Sequence, residues 1–135
     1  MTTVSDTRSR TGLPFLLLSL VAILFLLMSI AVQYNDPDGP LWMLLYSVLL
    51  LVTLYHLYRP EQDIRVILLF LGLLYGAGVV LYSGSFGDTS LDAFKGVGMN
   101  SLVDEKVREL WGLVICFVWS VLLLIHNNRK RRRSS

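Results

Sequence analysis

The sequence predicts an all-α membrane protein, a four-transmembrane-helix bundle with both termini cytoplasmic, on three observations. Hydrophobic residues make up 54% of the 135, with a mean hydropathy of +0.60, where soluble domains sit at about 45–50% apolar. They fall in four blocks, Leu13–Val32, Leu41–Tyr58, Val66–Tyr82 and Leu110–Ile125, none containing Asp, Glu, Lys or Arg. Each is at or near the length of about 17–25 residues that a spanning helix needs. The basic residues then sort by side. Of the twelve, nine (Arg8, Arg10, Arg59, Arg65 and Arg129–Arg133) fall on one side of a four-pass chain, and Lys95, Lys106 and Arg108 on the other. Basic residues near helix ends favour the cytoplasm. The overall charge of +2 conceals this split, because seven of the ten acids lie on the outer side.

Taken in order, residues 1–10 are short, polar and expected to be disordered, and the bundle occupies residues 11–127. Helix 1 is expected over about 13–33, with Pro14 tolerated in a first turn that has no N–H partner to lose. Ser29-Ile30-Ala31 resembles a small-x-small cleavage site. The apolar run exceeds the core of about 7–15 residues of a signal peptide, so it reads as an anchor. Asn35-Asp36-Pro37-Asp38-Gly39-Pro40 is dense turn chemistry. Asp38 or Gly39 caps helix 2 (about 40–58), and Trp42 falls at headgroup level as an interface anchor.

Pro60 ends helix 2, and the short link 59–63 makes helices 2 and 3 antiparallel neighbours. Helix 3 (about 64–82) carries Gly72 and Gly76, spaced for close packing, within the bundle before any dimer. A glycine- and serine-rich loop follows, with a short surface helix expected over 89–95. Helix 4 (about 103–127) carries Gly112, Cys116 and Ser120 at spacing four, a smooth packing stripe. The lone Cys116 allows no intrachain disulfide and reads as an inert buried thiol. Residues 128–135 form a basic, disordered tail that holds the C-terminus inside, with anionic lipid binding as its alternative role.

This topology brings Gln33, Asn35, Asp36 and Asp38 towards Asp104, Glu105, Arg108 and Glu109 at the outer ends of helices 1, 2 and 4. Glu105 and Glu109 share a helix face. Several carboxylates around one Arg are costly to desolvate and need compensation. The leading reading pairs Arg108 with a carboxylate of the turn, a structural clasp. A second places a divalent cation on Asp36, Asp38, Glu105 and Glu109, since hard oxygen donors suit Ca²⁺ or Mg²⁺ and no His or Cys is near. A third makes two of the acids a catalytic pair. His56 and His126 sit at the opposite ends of their helices and read as interfacial polar residues rather than haem ligands. No acid, amide or His falls mid-helix, which argues against a proton relay or carrier path.

Gln33-x-Asn35-Asp36-Pro37-Asp38, followed by Trp42 and Tyr46, resembles the first outer turn of the transmembrane protein 220 family. Glu105-x-x-Arg108-Glu109-Leu110-x-Gly112-Leu113 resembles its second motif, at the head of the last helix. The resemblance covers about residues 13–126, with Gly39 as a departure inside the turn. It implies small four-pass membrane proteins with no established biochemical activity. The expectation is therefore a multi-pass integral membrane protein without enzymatic activity. Its partners would be the lipid bilayer and a membrane protein within it, not nucleic acid. No resident cofactor is expected beyond the divalent cation that the acids could take. The alternative is a metal-dependent enzyme acting on lipid or a polar substrate at the outer cluster.

Overall fold

The computed structural model describes residues 11–89 and 102–134. These form four helices, α1 (Leu13–Val32), α2 (Gly39–Tyr58), α3 (Arg65–Leu81) and α4 (Leu102–Ser134), with 3-10 turns at Gln33–Asn35 and Ser83–Phe86. Among the described residues there is no strand. Three segments, Leu13–Asn35, Gly39–Tyr58 and Leu102–Arg133, are long and apolar enough to cross a membrane; Arg65–Leu81 is a shorter apolar helix. Residues 1–10 and most of the expected 89–95 surface helix lie outside the described residues.

α1 is apolar on all sides, and only Ser19 and Leu26 of it are buried. Such a helix is stable only where its other faces meet lipid. Side-chain hydroxyls inside the bundle bond back to their own helix: Ser19 to the Phe15 carbonyl, Thr53 to Leu49 and Ser120 to Cys116, each at 2.8 Å. No water is available there to satisfy them, so the preceding turn does so.

α1 packs mainly on α2, and α3 on α4. α2 and α3, joined by a short link, meet through side chains rather than by close backbone packing: Tyr75 donates to the Leu45 carbonyl at 2.7 Å. The core runs through Trp42, Tyr46, Leu49, Leu71, Tyr75, Leu113, Trp119 and Leu123, with the Cys116 thiol buried among them.

The small residues do not all pack as expected. A side chain on Gly72 would meet nothing within 4 Å, so this glycine makes no close approach. The seam of α3 against α4 lies one turn on, where a Cβ on Gly76 would come 3.2 Å from the Phe117 ring and one on Gly78 3.0 Å from Leu113. Gly112 is fully engaged, because the Tyr46 hydroxyl occupies the place its Cβ would take.

The largest departure is the tail. Residues 128–134 continue α4 as helix rather than forming a disordered end. The link between α2 and α3 holds them: Asn127 donates to the Gln62 carbonyl at 2.8 Å, and Arg131 pairs with Asp63 at 2.9 Å. Asp63 also receives Arg65 at 3.0 Å. These hydrogen bonds from Arg65, with the charge of Arg131 behind them, hold the Asp63 carboxyl down at about 2. A depressed carboxylate pKa favours the folded state above the unfolded value of about 3.9 and loses that effect as pH falls through the folded one. The Asp63 carboxyl carbon should accordingly show an NMR titration centred near 2. In Arg65→Gln the midpoint should return towards about 3.9.

Candidate functional site

One end of the bundle gathers acidic groups and the other basic ones. At the acidic end α1 unwinds into the Gln33–Asn35 3-10 turn, and the chain reverses through Asp36 N–H to Gln33 O (3.2 Å) and Gly39 N–H to Asp36 O (3.0 Å). A Cβ on Gly39 would strike the Gln33 carbonyl, so the tight reversal requires glycine there. Asp38 is the N-cap of α2, but its side chain makes no capping bond. It accepts the Trp42 indole N–H instead, at 2.9 Å. Trp42 is therefore not a lipid-facing anchor: it is 4% exposed and packs against Tyr46 and Tyr82. A polar partner one turn back lets the indole bury its ring.

This turn faces the first two turns of α4. Oxygens of Asp38, Glu105 and Glu109 all lie within 4.8 Å of one another. Glu109 is buried, and the Tyr82 hydroxyl reaches it from the end of α3. Beside the carboxylates is a cavity of about 230 Å³, lined by Gln33, Asp36, Tyr46, Glu105, Arg108 and Glu109 among others. The Gln33 side-chain oxygen is buried there with no hydrogen-bond partner. Asn35 is exposed and does not line the cavity, and Asp36 lines it without joining the three-carboxylate group.

The expected Arg108 clasp is not formed. Among the described residues Arg108 makes no ion pair, and its side chain lines the cavity. The trio has another geometry than the clasp assumed. Asp38 is already engaged by Trp42, while Glu105 and Glu109 stand in one column of α4 aimed at it.

The basic end holds a feature that sequence spacing did not reveal. His56 is 1% exposed, and its Nε2 lies 2.8 Å from His126 Nδ1. One ring donates and the other accepts, and two rings bonded to each other leave no place between them for a haem iron. Phe15 stacks on His126, with centroids 3.5 Å apart and planes 2° apart. These residues are 70 positions apart in the chain. Their one shared signal is a His at the same end of two apolar helices.

Residues 24–125 match the family described as transmembrane family 220, helix. The chain belongs to that family. Transmembrane protein 220 of Xenopus laevis is 31% identical to it over 95 residues, 67% of this chain and 48% of that protein. The chain thus spans about half the length of this curated relative. No solved structure matches. As a transmembrane family 220 member with several long apolar helices, it is a multi-pass integral membrane protein. The matched segment contains the whole acidic end, Gln33 to Tyr46 and Glu105 to Leu113, and stops just before His126 and the basic run.

Proposed function

We propose that this transmembrane family 220 member crosses the bilayer four times with both termini cytoplasmic, and binds a divalent cation on Asp38, Glu105 and Glu109 at its outer face. The role is that of a binding protein acting through lipid or protein partners. α3 has 17 residues, about 26 Å at 1.5 Å per residue, which reaches most of a hydrocarbon core of about 30 Å. The basic end, with the Arg131–Asp63 clasp, takes the cytoplasmic side.

The observation that carries the cation is the close approach of the three carboxylates with no basic side chain ion-paired to them among the described residues. Like charges this near repel, and desolvation adds to the cost. Hard divalent cations favour such clusters of oxygen donors. Gln33 Oε1 offers another oxygen in the adjoining cavity, and Arg108 gives that cavity a positive wall.

Thermal unfolding of the purified protein in detergent tests this, first in chelator and then with Ca²⁺, Mg²⁺, Mn²⁺ or Zn²⁺. An ion at a hundred times its dissociation constant should stabilise the fold by about 2.7 kcal/mol. Glu109→Gln and Glu105→Gln should abolish that gain, while Glu105→Gln in chelator should melt no lower than the wild type. If none of the ions moves the wild-type midpoint, the cation reading fails. A second reading, metal-dependent hydrolysis of a lipid or polar substrate, is favoured by the cavity beside the trio, which could admit a substrate to the ion. Hydrolysis of lipid substrates that needs both the ion and Glu109 would establish it.

A further inference from the structure

The helical tail sorts its five bases by face. Arg131 points to Asp63 of the α2–α3 link. His126, Arg129, Lys130 and Arg133 are spaced i, i+3, i+4 and i+7, a single face of α4. They line a cavity of about 460 Å³ whose opposite wall is the start of α1, Gly12 and Phe15. Phe15 stacks flat on His126 and fixes that wall. α1 begins here with no side-chain cap and no acid in its first turn, so the N–H groups of Leu13 and Phe15 are left without a partner from their own helix. First-turn N–H groups and the positive end of a helix dipole favour an anion. Two guanidinium groups suit a phosphate, whose oxygens they can engage in pairs.

We infer that the cavity between the start of α1 and the His126–Arg129–Lys130–Arg133 face of α4 is a phosphate-binding site at the membrane edge. It accepts a terminal phosphate, either the monoester of a lipid headgroup such as that of phosphatidic acid or free phosphate, and not the choline-capped diester. Arg129 and Arg133 grip the oxygens, and the start of α1 closes the far side. This is independent of the acidic cluster at the other end. It also differs from a diffuse positive tail, because a specific subset of the basic run is involved.

Isothermal titration calorimetry of the full-length protein in a non-ionic detergent tests it. The titrants are dioctanoyl phosphatidic acid, dioctanoyl phosphatidylcholine and inorganic phosphate. Phosphatidic acid should bind saturably and about tenfold or more tighter than phosphatidylcholine. Arg129→Gln with Arg133→Gln should weaken it by about tenfold or more. Both residues are exposed, so the fold should survive, and circular dichroism would check this. Arg132→Gln, exposed and not lining the cavity, should leave affinity unchanged. Binding of phosphatidic acid without inorganic phosphate identifies a lipid headgroup site. Equal binding of inorganic phosphate, lost in the same double variant, identifies a site for free phosphate. The inference is overturned if Arg132→Gln weakens binding as much as the double variant. It also fails if phosphatidylcholine binds as tightly as phosphatidic acid, or if neither phosphatidic acid nor inorganic phosphate binds.

Discussion

Trp119→Ala should destabilise the bundle by about 3–5 kcal/mol, the loss usual for removing a large buried aromatic. Trp119 joins three helices. Its ring is 5% exposed and stacks with Phe15 of α1 at 5.9 Å, and its N–H donates to Thr53 Oγ1 of α2 at 3.0 Å. The Thr53 hydroxyl donates in turn to the Leu49 carbonyl. In lipid the transfer part of the loss shrinks, because an unfolded but inserted helix still rests in an apolar medium. What remains is the cavity and the lost dispersion contacts, which places the expectation at about 3 kcal/mol, the lower end. Trp119→Phe keeps most of the ring and loses the N–H bond, so it should cost about 1 kcal/mol. Unfolding of the detergent-solubilised protein by a denaturing detergent, followed by circular dichroism, measures both. Equal losses in the two variants would mean that the N–H bond, not the packing, is the tie.

Gly112→Leu should cost about 3 kcal/mol or more, at the upper end of overpacking. The Tyr46 hydroxyl already stands where a Cβ would go, so even Gly112→Ala must move it. The ring cannot swing freely, because Tyr46 is 3% exposed and packs against Trp42. Combining Gly112→Ala with Tyr46→Phe separates the causes. Removing the hydroxyl should recover most of the Gly112→Ala loss, since the closest clash is with that oxygen. Gly72→Ala is the matching control, with open space around the position and an expected change of about zero or a slight gain from helix propensity. A Gly72→Ala loss as large as that of Gly112→Ala would show that α3 meets another surface there.

The gap between these two glycines shows where sequence reading stops. Gly72 and Gly76 have the small-residue spacing that packs helices. That spacing recurs every turn, and it does not say which turn faces the partner. The rotation of α3 against α4 places Gly76 and Gly78 at the seam and leaves Gly72 off it. The same holds at the acidic end. Turn residues between apolar runs placed Gln33, Asp36 and Asp38 near Glu105 and Glu109 without any coordinates. Which carboxylates meet, and that Arg108 makes no ion pair among the described residues, depends on side-chain directions. Charge complementarity ranks partners by sign alone, whereas the direction of the Arg108 side chain sets it in the cavity wall beside Asp36.

The sequence alone determined the apolar blocks, the punctuating turns and the separation of acids from bases. Each is set locally, by how a segment partitions between water and lipid or by how Pro, Gly, Asn and Asp bend a chain. Tertiary structure decided the rest. A run of five bases next to an apolar helix reads as a free tail, yet Asn127 and Arg131 find the Gln62–Asp63 link and the helix continues. His56 and His126 read as two interfacial residues, yet the convergence of α2 and α4 bonds them to each other and sets Phe15 upon them. In both cases the interaction joins residues more than sixty positions apart, and its strength depends on distances that only helix packing sets.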